Sequence, residues 1–358
     1  MSKINYSKLS IDEIPNLLEA IKNIIIETKA HNLMGAHEDH WNWQYKSLPS
    51  SETHIYVAKD GNKIIGYYHI PTYKLKKNNQ ELKIGHIQAV AIQNSYRKGG
   101  VFRKLAEFAN KEINHHVDLL YTFPNEKSIH TFVKYNQFQL ISALPVYILP
   151  LDLSKILFAS YKMPKFFKIF FSFFNLVFQG LRKGLKKNEK VVLISDITQE
   201  VEKLFIQHGE KYALRLHRDK KYLTWRYLNS PKGVHKIICL IDEKIIKAVA
   251  IIKKEKLFSS EGLVVMDFAY NDKKYLYKLM SNISQVKIFD DKRPSDCIFI
   301  SALDKNIRHL KKYGFIPIPQ KLVPRKLYIL CRWTKALGNK SLFMPSSWFV
   351  TLGDWDVF

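Results

Sequence analysis

Apolar residues recur at helical spacing early in the chain. Ile14, Leu17, Leu18, Ile21 and Ile25 fall on one stripe and predict an amphipathic helix over residues 11–30. The period then changes. "HIYVAKDGNKIIGYYHI" (54–70) sets two apolar runs on either side of Asp60-Gly61, a tight-turn dipeptide, and predicts a hairpin. A further strand is predicted over 81–93, a helix over 99–113, a strand over 117–123 and a helix over 126–135. Strands alternating with helices imply an α/β domain built on a mixed sheet.

The pattern occurs twice. Trp43, Tyr45 and Pro49 line up with Trp225, Tyr227 and Pro231, each pair 182 positions apart. "EKSIHTFVKYNQF" (126–138) lines up with "DKNIRHLKKYGF" (304–315) at nearly the same spacing. Two marker pairs in one order predict two copies of one domain. The expected division is 1–155, a linker over 156–192, and 193–358. Within that linker, residues 162–190 are dense in Phe and then basic at Arg182, Lys183, Lys186, Lys187 and Lys190. This apolar run is too short to span a bilayer. It reads either as a helix packed between domains or as an interfacial helix on an anionic membrane.

Composition narrows the class. At 46% hydrophobic residues the 358-residue chain can fill two cores. A net charge of +25 suits acidic partners: a phosphorylated cofactor or substrate, nucleic acid, or an anionic membrane. Cys239, Cys297 and Cys331 are scattered and form no CxxC, so neither a zinc ribbon nor a disulfide framework is implied, and a reducing cytoplasm fits. The N-terminal residues lack the apolar core of a signal peptide.

The candidate chemistry centres on "AVAIQNSYRKGGVFRKL" (89–105). A strand turning through two glycines into a helix leaves helix-start N–H groups open, with Arg97, Lys98, Arg103 and Lys104 around them. That is a cradle for a pyrophosphate. This segment resembles the acetyl-CoA-binding segment of the GNAT superfamily of N-acetyltransferases, in which a strand is followed by Arg/Gln-x-x-Gly-x-Gly/Ala and a helix. Arg97, Lys98, Gly99, Gly100 and Val101 follow that pattern, and Phe102 departs from its last position. "FPNEKSIHTFVKYNQF" (123–138) resembles the family's Asn-containing turn.

The resemblance implies an α/β protein of two tandem acyl-CoA N-acyltransferase (GNAT) folds, each a mixed, mostly antiparallel sheet flanked by helices. It implies acetyl-CoA as co-substrate. The backbone of Val90, Ala91 and Ile92 would pair with the pantetheine arm, and Asn125 and Ser128 would lie beside it. The second copy has no glycine in the matching turn (264–280), so the first copy is expected to bind the cofactor.

The resemblance leaves the proton-transfer groups open. Gln88 stands where many family members have Glu, and an amide cannot act as a base. His86, on the same strand face, is the candidate base. Phe132 stands where a Tyr acid is frequent, and Tyr135, one turn on, is the candidate acid. His31, His37, Glu38, Asp39 and His40 precede the first aromatic marker without a fixed ligand spacing, so no metal is assigned there.

The leading expectation is acyl transfer from acetyl-CoA to an amine, or a hydroxyl, of a small acceptor. Together with the Trp-x-Tyr marker and the closing "WFVTLGDWDVF", the chain resembles bacterial acetyltransferases associated with surface polysaccharides. That points to an amino sugar or sugar derivative, phosphorylated or lipid-linked, met in the cytoplasm or at the inner face of the membrane. Two alternatives stand beside it. One is a Fem-type aminoacyltransferase using aminoacyl-tRNA, although such enzymes do not need the pyrophosphate turn. The other is a non-enzymatic protein that binds membrane or nucleic acid. The turn argues against nucleic acid as the partner.

Overall fold

The structure is a computed structural model that describes residues 3–10, 13–27, 38–49, 52–77, 80–126, 128–153, 155, 175, 177, 180–181, 184–257, 260–286, 288–289, 295–323, 326–334 and 343–355. The chain forms two compact units. The first comprises residues 1–143 with 326–345, and the second comprises 144–325 with 346–358. The contiguous division expected from the sequence is therefore corrected, because each half of the chain contributes to both units.

In the first unit β1 (Ile4–Lys8) pairs antiparallel with β2 (Thr53–Asp60), and β2 with β3 (Lys63–Lys77). The hairpin turns at Gly61, whose φ of 59° is the left-handed conformation the Asp-Gly signal calls for. The far part of β3 pairs with β4 (Gln80–Ile87), and the near part with β5 (Val90–Ile92). Next comes β6 (Leu119–Thr122), parallel to β4. The edge strand is β7 (Gln139–Ala143).

The sheet is covered on both faces, which explains the unbroken apolar run "IYVA". Ile55, Val57 and Tyr67 pack with Leu17, Ile21 and Ile24 of α1 (Ile14–Glu27). Tyr56, Ala58, Tyr68 and Ile70 pack with Val101, Leu105, Ala109 and Ile113, on one side of the helix Val101–Ile113. Each of these larger aliphatic side chains contributes about 1.5–3 kcal/mol on burial.

The second unit repeats this order. β9 (Glu189–Ile194), β11 (His235–Asp242), β12 (Ile245–Leu257) and β13 (Ser260–Tyr270) pair antiparallel in sequence, and β14 (Cys297–Leu303) is parallel to β13. The copies match element by element. Thr53–Asp60 and His235–Asp242 lie 182 positions apart, as do the starts of β3 and β12 at Lys63 and Ile245. Both tryptophan markers sit in a single wide helical turn, closed by Ser47 N–H on Asn42 O and by Asn229 N–H on Thr224 O, each at 2.9 Å.

Each unit takes one strand from the other half of the sequence. β16 (Tyr328–Trp333), from the end of the second copy, lies between β6 and β7 of the first unit and is antiparallel to both. β8 (Val146–Pro150), from the end of the first copy, lies between β14 and β15 (Ile316–Ile318) of the second.

Most of the Phe-rich linker, with Arg182 and Lys183, lies outside the described residues, as does the expectation of membrane contact placed on it. Among the described residues no helix is long and apolar enough to cross a membrane. All three cysteines are free and buried, and burial pushes the Cys239 and Cys297 thiols up to about 12.

Burial also sets an acid limit. It lowers His69 in the first unit and His235 in the second to about 3, so both imidazoles are neutral when folded. In the unfolded chain they protonate near 6.5. The unfolded state then binds more protons below that pH, and stability falls as pH falls from 6.5 towards 3. Each residue costs about 2 kcal/mol at pH 5. Urea midpoints measured from pH 7 to pH 5 should drop accordingly, and a flat profile would contradict the burial of both rings.

Candidate functional site

The site is built where β4 gives way to β5. His69 on β3 accepts from the Gln88 N–H at 3.3 Å and donates to Ala89 O at 3.1 Å, so two residues oppose one and the strand bulges. The parallel pairing of β4 with β6 runs from Ile84–Leu119 to Ile87–Thr122 and ends there. The Thr122 hydroxyl donates to Ile87 O at 2.8 Å at that last step. Beyond it β5 stays with β3 while β6 runs on toward Phe123, and the two splay.

The splay leaves one edge of β5 without a strand partner among the described residues. Ala89 O and Gln93 N–H bond to β3, at His69 and Ile65, so strand alternation turns Ala91 to β3 as well. Ala91 is thereby corrected as a partner for an added strand. Val90 and Ile92 present their backbone groups to the other edge, where Arg97 Nε donates to Ile92 O at 3.3 Å.

A turn over Asn94–Gly99 leads from β5 into Gly100, which has φ 71° and ψ 11°. An added Cβ at Gly100 would meet nothing within 4 Å, so the backbone conformation, not crowding, calls for glycine. α3 (Val101–Ile113) follows, with α2 (Glu38–Trp41) earlier in the chain. Lys104 N–H to Gly100 O, at 3.1 Å, closes the first turn of α3. The N–H groups of Val101, Phe102 and Arg103 therefore precede the helix's own ladder. The first turn holds no acidic residue and no side chain caps it, so the positive end of the helix dipole is left for an anion.

The turn is anchored on both sides. Tyr96 donates to Asp60 Oδ2 at 2.7 Å. Glu27, at the end of α1, accepts from Gln93 Nε2 at 2.6 Å and from Asn94 N–H at 3.3 Å. Val101 is buried and fixes where the helix starts, with Phe102 half-buried beside it. Lys98 and Gly99 complete the turn, and Gly99 is exposed.

The other sequence candidates fall elsewhere. Asn125 Oδ1 accepts from Ser128 N–H at 3.0 Å, and Asn125 O accepts from Ile129 N–H, so these residues open α4 (Ile129–Asn136). Phe132 is buried against Phe138, with ring centroids 5.4 Å apart. Tyr135 lies on the solvent side of α4 beside His130 and Lys134. His86 is 2% exposed, stacked on Tyr121 at 4.4 Å with Phe123 edge-on at 5.5 Å. The fold thus brings Val90, Ile92, Arg97, Gly100, Val101 and Phe102 to the β5 edge and the turn after it; His86 is buried among rings one residue before the β4–β6 pairing ends, and Tyr135 lies on an outer surface.

Gln88 shares the His86 face of the strand, at the bulge itself. Its buried Nε2 has no hydrogen-bond partner among the described residues. Sequence reasoning set Gln88 aside because an amide is no base. The amide stands at the mouth of the splay with donors to spare. Of the acidic and histidine group before the first tryptophan marker, His31 and His37 lie outside the described residues.

The second unit fills the same gap with its own chain. There β17 (Trp348–Thr351) pairs with β14 at Ala302 and Leu303, just past the β13–β14 parallel register. The matching helix, Lys273–Asn282, is capped by Asp272, whose carboxylate accepts from Lys274 N–H at 2.8 Å. Arg218, 3% exposed, links Asp267 at 2.7 Å to Asp354 at 2.8 Å, and Thr351 donates to Asp267 at 3.1 Å. The closing "WFVTLGDW" is accounted for by this buried network.

Comparison with known proteins follows the same lines. Residues 7–137 match the family described as the acetyltransferase (GNAT) domain. That span holds the β5 edge, the glycine turn and α3. No curated protein matches the sequence. Among solved structures, the chain resembles a conserved protein of unknown function from Enterococcus faecalis V583, described as a probable N-acyltransferase. The TM-score is 0.65 at 10% identity, over 93% of this chain and 73% of that one. It also resembles a GCN5-related N-acetyltransferase from Anabaena variabilis ATCC 29413, with a TM-score of 0.60 at 13% identity over 93% and 73% of the two chains. A third is the N-myristoyltransferase of Saccharomyces cerevisiae with bound myristoyl-CoA, at 0.60 and 12% over 93% and 83%. At such identities the likeness is one of fold: two GNAT-type sheets in tandem.

Proposed function

We propose that the protein is an acyl-CoA-dependent N-acyltransferase whose cofactor lies in the first unit, between the β5 edge and the start of α3. The GNAT-domain match supports an enzyme of this class with acyl-CoA as co-substrate. The observation that carries the reading is an open strand edge next to an uncapped, acid-free helix start entered through a glycine at φ 71°. The α3 amides and Arg97 take the pyrophosphate. The outward backbone groups of Val90 and Ile92 take the pantetheine amides as an added strand would.

In the reaction an acceptor amine attacks the thioester carbonyl carbon. The C–N bond forms, the C–S bond breaks, the amine loses a proton and the coenzyme A thiolate gains one. A backbone N–H on the β5 edge polarises the carbonyl, and the Gln88 amide orients the acceptor. The acceptor class we infer is an amino sugar or sugar derivative bearing phosphate. The net charge of +25 and the sequence resemblance noted above support it.

Release of free thiol from acetyl-CoA, scored with a colorimetric thiol reagent across amino sugars, sugar phosphates and simple amines, tests both levels. Turnover with any amine supports the reaction. Turnover with simple amines that no amino sugar improves on removes the acceptor class. Failure of coenzyme A to bind in calorimetry removes the reading itself.

A further inference from the structure

At the far end of α3, about 20 Å along its axis from the glycine turn, the first unit gathers three side chains of metal-ligand type. His54 lies at the start of β2, Glu52 stands two residues before it, and His116 sits in the loop between α3 and β6. One ligand atom from each lies within 4.8 Å of the other two. The rings of His54 and His116 are 4.9 Å apart, and His54 Nε2 is 3.5 Å from Glu52 Oε2.

A second observation points to a ligand. His54 is 3% exposed, yet its Nδ1 has no hydrogen-bond partner among the described residues and its Nε2 has only the long approach to Glu52. A buried imidazole so weakly partnered is costly unless something takes its lone pair. Glu52 and His116 are exposed, which leaves a route from solvent.

We propose that Glu52, His54 and His116 form a binding site for a divalent transition metal, with Zn²⁺ the first to test. Two imidazoles and a carboxylate suit zinc, and water completes the tetrahedron. Ligand atoms of a tetrahedral zinc stand roughly 3.4 Å apart, so the exposed Glu52 and His116 close in by side-chain rotation. Lys83 pairs with Glu52 Oε2, which leaves Oε1 for the metal. Lys8 and Lys83 add positive charge nearby, and the negative end of the α3 dipole offsets part of it.

The bound ion would tie the start of β2 to the loop after α3. That same loop holds β4 through Lys83 N–H to Asp118 Oδ2 at 3.0 Å. Its role is to fix α3, whose other end forms the glycine turn.

The test uses the full chain without a histidine tag, stripped with a chelator and titrated with ZnCl₂. One Zn²⁺ should bind per chain, the melting temperature should rise with added Zn²⁺, and Co²⁺ should give the visible absorption of a four-coordinate site. His116→Ala, at an exposed position that folding tolerates, should weaken binding at least ~10-fold, as should Glu52→Gln. Absence of stoichiometric binding overturns the site. So does binding that is unchanged in His116→Ala, since the chain has 13 histidines and the metal would then sit on others.

Discussion

A Gly100→Ile variant will lose coenzyme A affinity by at least ~30-fold while remaining folded. At φ 71° a β-branched residue is strained by roughly 1–2 kcal/mol. The turn relieves that strain by leaving the left-handed region, which rotates the Val101 N–H away from the anion. Nothing lies within 4 Å of an added Cβ, so the loss stems from misdirected amides and not from a collision within the protein. The melting temperature should fall by only about 5 °C. Gly99 has no positive φ, and Gly99→Ala should melt with the native protein. Calorimetry with coenzyme A and thermal unfolding of both variants check this. Unchanged affinity in Gly100→Ile would remove the turn from the cofactor site.

The second large effect is expected at Arg218. Its guanidinium sits between Asp267 and Asp354, all three buried. Arg218→Met leaves two carboxylates without a counter-charge, a loss of about 3–5 kcal/mol. In a unit of this size that is roughly 10 °C of melting temperature. The defect should shrink at acid pH, where one carboxyl can take a proton and become neutral. Adding Asp354→Asn should recover part of the stability for the same reason. A melting temperature within 2 °C of native in Arg218→Met would show that the network does not hold β17 in place.

Much of this was legible in the sequence, and the rest was not for physical reasons. The hairpin at Asp60-Gly61, the helix behind the double glycine and the 182-residue repeat are local signals, carried by φ angles and periodicity. The break between β4 and β5 was invisible because "HIQAVAI" holds no glycine, proline or turn dipeptide to mark it. What divides it is a bulge against His69, set by a neighbouring strand. His86 looked available because alternation places it on one face, but alternation does not say that Tyr121 and Phe123 cover that face. The Glu52, His54 and His116 cluster joins residues more than 60 positions apart and has no linear spacing to read. Strand exchange was hidden for the same reason: β7 and β8 follow each other in sequence and part only in space.

That exchange bears on how the chain is made. When residue 143 leaves the ribosome, the first sheet still lacks the strand that belongs between β6 and β7, and that strand is translated only at 328–333. Until then two strand edges stay open, a template for pairing with another nascent chain. Translation must reach residue 333 before the first sheet is complete. A transcript cut after the first copy therefore encodes a sticky intermediate in place of a half-sized enzyme. Neither half of the chain can be shed without leaving the other's sheet one strand short.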